Sequence, residues 1–142
     1  MIPAGFCALP LPITQLSLAV VLKCGQSFRW SVFPLSAESS SVGQNEYRLC
    51  LHDRVVCLRQ SPDTLFYRSV FPNAPSTPAL EAETLAFIND YFQLDIDLIN
   101  LYKQWADADP VFKRVQSRFS GIRILRQDPW ENLISYAFFL FF

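Results

Sequence analysis

The chain has 142 residues, a length that fits one domain. It is 51% hydrophobic and carries thirteen Phe, which excludes general disorder, since disorder requires low hydrophobicity and high net charge. The formal net charge is −1, from 12 basic and 13 acidic residues, so no overall field draws the chain to nucleic acid or to an anionic membrane, and any such attraction must be local.

Residues 1–12 have neither the basic start of a secretory signal nor the Arg-rich pattern of a transit peptide. In residues 16–22, Leu16, Leu18, Val20 and Leu22 recur at every second position. Period two predicts a half-buried strand. It ends at Cys24-Gly25, where glycine permits a tight turn or a close backbone approach. Residues 27–33 resume in extended form and Pro34 closes them. Residues 36–44 are Ser-rich and predict a polar loop. Three more runs read as a meander: residues 46–51, with Tyr47, Leu49 and Leu51 on one face, then 54–60, then 65–71. His52-Asp53 and Ser61-Pro62-Asp63 turn the chain between them, the proline presetting φ. Sequential strands with short turns argue an antiparallel sheet.

The period changes after the Pro-rich residues 72–78. Thr77 is a candidate N-cap, with Pro78 at the first helical position and Glu81 close behind. Leu80, Thr84, Phe87, Ile88, Tyr91 and Phe92 share one face of this helix. A second helix is predicted from Asp95, with Leu98, Leu101, Tyr102 and Trp105 inward. A third follows Asp109-Pro110, with Val111, Phe112, Val115 and Phe119 inward and Gly121 ending it as the C′ residue. A fourth starts at Asp128-Pro129, where Asp128 and Glu131 stand as in a capping box. Strands first and helices after make an α+β protein.

Few residues suggest chemistry. Cys7, Cys24, Cys50 and Cys57 are spaced by 17, 26 and 7 residues and form no close ligand pair, and His52 is the only histidine. No metal and no cofactor is expected, and the thiols are read as reduced and buried. No apolar run reaches the ~20 residues of a membrane helix. There is no nucleophile motif, phosphate loop or dinucleotide fingerprint. His52-Asp53 reads as a turn, because no nucleophile accompanies it. Lys23 and Lys103 show no sign of the desolvated setting that activates a Schiff-base lysine. The many aromatic side chains alternate with polar residues at strand period, which favours core over base stacking. Charge is segregated: residues 79–110 hold seven acids and one base, whereas 111–126 hold five bases, Lys113, Arg114, Arg118, Arg123 and Arg126, and no acid. This run is either a solvated face or a phosphate-facing patch. From the residues alone the chain reads as a binding or scaffold module.

Cys24-Gly25-Gln26-Ser27-Phe28-Arg29-Trp30 adds a second line of reading. Gly-Gln-Ser-Phe-Arg-Trp resembles the signature near the start of eukaryotic 8-oxoguanine DNA glycosylases. Tyr91-Phe92-Gln93-Leu94-Asp95, Leu101-Tyr102 with Trp105, and residues 121–129 resemble further segments of that family in the same order. The match runs over residues 9–135. It implies an N-terminal antiparallel sheet with helices, similar to one repeat of the TATA-binding protein, followed by the start of an all-helical domain. The implied domains are residues 9–127, the first piece of the helical domain at 128–135, and an apolar tail at 136–142 that departs from the family.

The resemblance also implies site residues. In the family, the carbonyl of the signature glycine, here Gly25, accepts a hydrogen bond from N7–H of the oxidised base. Gln26, Ser27, Phe28, Arg29 and Trp30 are expected to hold that loop, with Phe28 and Trp30 packed inside and Arg29 bonded to backbone or carboxylate. Lys113, Arg114, Arg118, Arg123 and Arg126 are the candidate phosphate contacts. The implied partner is double-stranded DNA containing 8-oxoguanine, without a membrane and without oligomerisation. The implied compartment is the nucleus, with the mitochondrion second. The family's attacking lysine and assisting aspartate match no residue here, so the chain alone is expected to be inert in excision and strand cleavage. A DNA- or protein-binding module without catalysis, or a truncated product without function, are the rival readings.

Overall fold

The computed structural model describes residues 2–35, 45–73 and 75–141. It begins with a short strand, β1 (Cys7–Pro10), and a single helical turn, α1 (Leu18–Val21). Four strands follow: β2 (Ser31–Pro34), β3 (Asn45–Cys50), β4 (Val55–Gln60) and β5 (Thr64–Val70). Then come α2 (Pro78–Phe92), α3 (Leu98–Ala108), α4 (Pro110–Val115) with a 3-10 turn at Gln116–Arg118, and α5 (Pro129–Phe141). All strand pairs are antiparallel, in the order β1-β5-β4-β3-β2.

The meander stands where its alternation puts it. Leu51 N–H bonds the Arg54 carbonyl across the His52-Asp53 turn at 2.8 Å, and Ser61 N–H bonds that of Thr64 at 2.9 Å. Tyr47, Leu49, Val56, Leu58, Leu65 and Tyr67 form one sheet face. They are buried with Leu18 and Val21 of α1 and Ile88, Tyr91 and Phe92 of α2 in the main core. Thr77 caps α2 by accepting from Leu80 N–H, with Pro78 at its first position. Thr84 on the buried face is satisfied by Ser69 at 2.6 Å, the Leu80 carbonyl and Arg54.

Several expectations are corrected. Residues 16–22 are not a strand. The inward side chains are Leu16, Leu18, Val21 and Leu22, a mixed spacing that a helical turn satisfies. Gln60 takes the place of strand pairing: its side-chain oxygen accepts from Leu18 N–H at 2.9 Å and its amide donates to the Leu16 carbonyl at 2.6 Å. Of residues 27–33 only the end is strand, since Ser27 and Trp30 turn inward three positions apart. The second helix starts at Leu98, because Gln93 closes α2 in the left-handed region and Asp97 supplies the cap to Asn100 N–H. Val111, Val115 and Phe119 are exposed. The six-residue α4 buries nothing, and Phe112 alone joins the aromatic cluster of Tyr102 and Trp105. Gly121 lies beyond the 3-10 turn and is not the C′ residue of α4. It takes φ +75 and packs backbone to backbone against Ile13 and Ser17. The cysteines are free, but only Cys57 is buried, while Cys24 and Cys50 are exposed. The loop expected at 36–44, like the side chains of residues 138–142, lies outside the described residues.

The opposite sheet face carries Phe6, Cys57 and Phe66 and a fully buried carboxylate. Glu46 is 0% exposed. It accepts from Arg48 Nε at 2.6 Å and Arg59 Nε at 2.8 Å, with Arg68 at 3.7 Å. The Phe6 ring lies between the Arg59 and Arg68 guanidinium groups, 4.7 Å from each. Burial pushes the Glu46 carboxyl up, but the hydrogen bonds and charges of Arg48 and Arg59 outweigh it and hold the group below its ordinary value of 4.5. A lowered folded-state pKa stabilises the protein above the unfolded-state value, and this contribution disappears as pH falls through the folded-state value. Glu46→Gln is therefore expected to lose about 2 kcal/mol at pH 7, a low figure for a broken buried pair because the arginines stay partly hydrated. The gap from wild type should close in the acid range below the ordinary carboxylate value. Thermal unfolding of both proteins across pH checks this, and a gap that stays constant into strong acid refutes it.

Candidate functional site

After α1 the chain turns outward through Lys23 and Cys24 to Gly25. Gly25 sits at φ +85, and a Cβ there would meet nothing within 4 Å. Its glycine is demanded by the backbone conformation, and the space beside it is open.

Gln26 fixes this loop. Its amide donates to the Arg123 carbonyl at 2.8 Å, and its side-chain oxygen accepts from Leu125 N–H at 3.0 Å. Its own backbone carbonyl accepts from the Gln127 side chain. The loop is thus clasped to residues 123–127, about a hundred positions away. Ser27 and Trp30 point inward. The Trp30 indole N–H donates to the Tyr91 hydroxyl at 3.1 Å, and its ring packs on Phe92.

Arg29 ties the loop to two neighbours. It bonds Glu131 of α5 at 2.6 Å and the Cys50 carbonyl of β3. The N-terminus of α5 is held in turn by Asp128, whose carboxylate accepts from Trp130 and Glu131 N–H at 2.9 and 3.0 Å. A cavity of about 170 Å³ lies between loop and helix, lined by Gly25, Gln26 and Phe28 on one side and Asn132, Ser135 and Tyr136 on the other.

Two expected site roles are corrected. Phe28 is not packed inside. It is 64% exposed at the cavity rim, because the inward positions around it are 27 and 30. Arg123 does not face solvent phosphates. It is 6% exposed, and its guanidinium donates to the Gln15, Gln93 and Ile96 carbonyls and to the Gln15 side chain at 2.5–2.8 Å. Burial lowers its pKa, with the Asp97 charge opposing. Of the other four bases, Arg126 pairs with Asp90 at 2.5 Å, while Lys113, Arg114 and Arg118 are exposed and join no ion pair among the described residues. Among those residues no group of three or more His, Cys, Asp or Glu gathers as a metal site. No helix among them is long and apolar enough to cross a membrane.

The 8-oxoguanine DNA glycosylase N-terminal domain family matches residues 8–133. The chain belongs to that family. Its similarity to the N-glycosylase/DNA lyase of Saccharomyces cerevisiae is 34% identity over 128 residues, covering 87% of this chain and 31% of the relative. To the N-glycosylase/DNA lyase OGG1 of Arabidopsis thaliana it is 29% over 130 residues, covering 90% and 32%. The chain spans about a third of the length of these relatives. Among solved structures it resembles MBOgg1 in complex with a low-affinity DNA ligand (TM-score 0.65, 26% identity, 96% of this chain and 40% of that one). It also resembles the apo form of the Clostridium acetobutylicum 8-oxoguanine glycosylase/lyase (TM-score 0.66, 25% identity, 90% and 38%). The five-stranded antiparallel sheet with helices is the α+β fold expected of an 8-oxoguanine glycosylase N-terminal domain.

Sequence reasoning missed Gln127, Asn132, Ser135 and Tyr136 as members of the loop's surroundings. For Arg123 a signal existed. Gly121, Arg123 and Leu125 alternate in an extended segment and are all buried, so period two placed the arginine on the inner side.

Proposed function

We propose that this chain forms the lesion-reading part of an enzyme that excises 8-oxoguanine from DNA and then cleaves the strand at the abasic site. Gly25 carries the reading. It is the signature glycine, it stands in the left-handed region beside an open cavity, and Gln26 holds its loop by three hydrogen bonds. A base flipped from the duplex that bears a proton on N7 donates to the Gly25 carbonyl. Guanine has a lone pair there, so acceptor faces acceptor and the Gly25 carbonyl, which a seated base takes out of water, is left unpaired, a penalty large enough to discriminate. Gln26 and Gln127 keep the loop in register, and Arg29 sets α5 against it. Bond cleavage belongs to the family's lysine and aspartate, which match no position here. The protein acts as a monomer on nuclear DNA, with residues 9–127 as the reading domain and 128–135 leading into the helical one.

A chimera tests this. Residues 8–133 replace the matching segment of the Saccharomyces cerevisiae relative, and release of 8-oxoguanine and of guanine is measured. The chimera is expected to prefer the oxidised base. Gly25→Ala, which meets no steric obstacle, is expected to shift the carbonyl and reduce that preference by about tenfold or more, the worth of one charge-free buried acceptor left unpaired. A folded chimera with no preference, or an unchanged preference in Gly25→Ala, refutes the proposal.

A further inference from the structure

A second cavity, of about 330 Å³, lies where α3, α4 and the 3-10 turn meet. Its size is within the range of small-molecule sites. Lys103 of α3 and Lys113 of α4 both line it, and neither joins an ion pair among the described residues. Two ammonium groups brought to one cavity make its potential positive, and no carboxylate belongs to the lining to offset them. Asp97, held by Gln15 at 2.7 Å and by Asn100 N–H at 3.2 Å outside the lining, offsets part of the Lys103 charge, and Lys113 carries the remaining positive charge of the cavity. The hydroxyls of Ser117 and Ser120 add two uncharged donors, while Ile99 and the Tyr102 ring form an apolar wall. The ring is held in place because the Tyr102 hydroxyl donates to the Phe119 carbonyl at 2.7 Å.

We infer that this cavity binds a nucleotide. The phosphate sits between the two lysines and the serine hydroxyls, and the base lies against Ile99 and Tyr102. Cations and hydroxyls match phosphate oxygens as charge-assisted hydrogen-bond donors, and an aromatic ring beside an aliphatic side chain matches the flat apolar face of a base. Lys113, one of the exposed members of the basic run, thereby has a defined pocket to serve. The same chemistry arises from a free mononucleotide or from the terminal nucleotide of a DNA strand. This site does not depend on Gly25, so it stands or falls separately from the lesion-reading proposal.

The test titrates the full chain with dGMP, deoxyguanosine, inorganic phosphate and a short single strand with or without a 5′-phosphate, followed by amide NMR shifts. dGMP is expected to shift residues 99–120 saturably. Deoxyguanosine and inorganic phosphate alone should each bind about tenfold or more weakly, as expected when one half of the contacts is missing. K103M/K113M keeps the apolar stems and should weaken dGMP by a similar factor without lowering the thermal midpoint. S117W fills the cavity without changing charge and should abolish the shifts, which keeps the test open if the double variant is unstable. A phosphorylated strand binding more tightly than dGMP assigns the site to strand ends, and weaker binding assigns it to free nucleotide. No saturable shift, equal affinity for inorganic phosphate, or unchanged affinity in both variants overturns the inference.

Discussion

Gly121→Ala is expected to destabilise the protein by about 3–5 kcal/mol and to lower its thermal midpoint by about 10 °C or more. A Cβ on Gly121 would stand 2.0 Å from the Ile13 carbonyl oxygen and 2.9 Å from the Ser17 nitrogen. Both obstacles are backbone, so neither can rotate away as a side-chain end would. The residue also holds φ +75, where alanine loses roughly 1 kcal/mol even in open space. Moving apart would break the bond from Ser17 N–H to the Gly121 carbonyl at 2.8 Å. Gly25→Ala is the matched control. It has a similar φ and nothing near the Cβ, so it should lose only the conformational part, about 1 kcal/mol. Denaturant unfolding of both variants separates clash from conformation. Equal losses would mean that the segment around Ile13 yields freely.

Arg123→Met is expected to lose about 3–5 kcal/mol, the range for removing one partner from a buried charged network. Its aliphatic length fills part of the space, so the loss measures the bonds. Three backbone carbonyls, of Gln15, Gln93 and Ile96, would be left without their donor in a place that water reaches poorly. Arg123→Lys keeps the charge but not the planar fork that serves separate acceptors, so it should recover less than half of the loss. The same residue's backbone carbonyl receives Gln26, so both variants should also increase amide exchange in the Gly25 loop. Urea titration checks the stability, and a loss within about 1 kcal/mol of wild type, typical of an exposed arginine, would refute the buried network.

Much of the fold was legible where local chemistry and tertiary packing agree. β3, β4 and β5 follow period two between turns with Pro, Asp and Gln60 at their margins, and α2 and α5 start at the caps their sequences provide, Thr77 and Asp128. The failures have physical causes. Residues 16–22 alternate well enough for a strand, but a side chain from β4 supplies the hydrogen bonds that a neighbouring strand would have given. β1 is four residues long and too short to carry a pattern. Val111 and Val115 are apolar on a short helix that meets α3 through Phe112, and Phe119 lies past its end and is exposed. The signature motif pointed to the Gly25 loop, yet charge misled the reading of Arg123, because a basic run invites a surface interpretation while alternation with Gly121 and Leu125 decides the side. Phe28 was misread for the complementary reason: an aromatic ring suggests core, and here the backbone turns it out to the rim.

The clasp between Arg123 and Gln15 joins residues 108 positions apart, and this separation sets an order of events during synthesis. A ribosome adding about 5–20 residues per second completes Gln15 roughly 5–20 s before Arg123 exists. During that interval the strands β2 to β5 and the helices α2 and α3 are added, while the first turn has no guanidinium and the Gly25 loop no Arg123 carbonyl to close on. The turn around Gln15 and the Gly25 loop are therefore among the last pieces of the domain to take shape, and until then they stay open to proteases and chaperones.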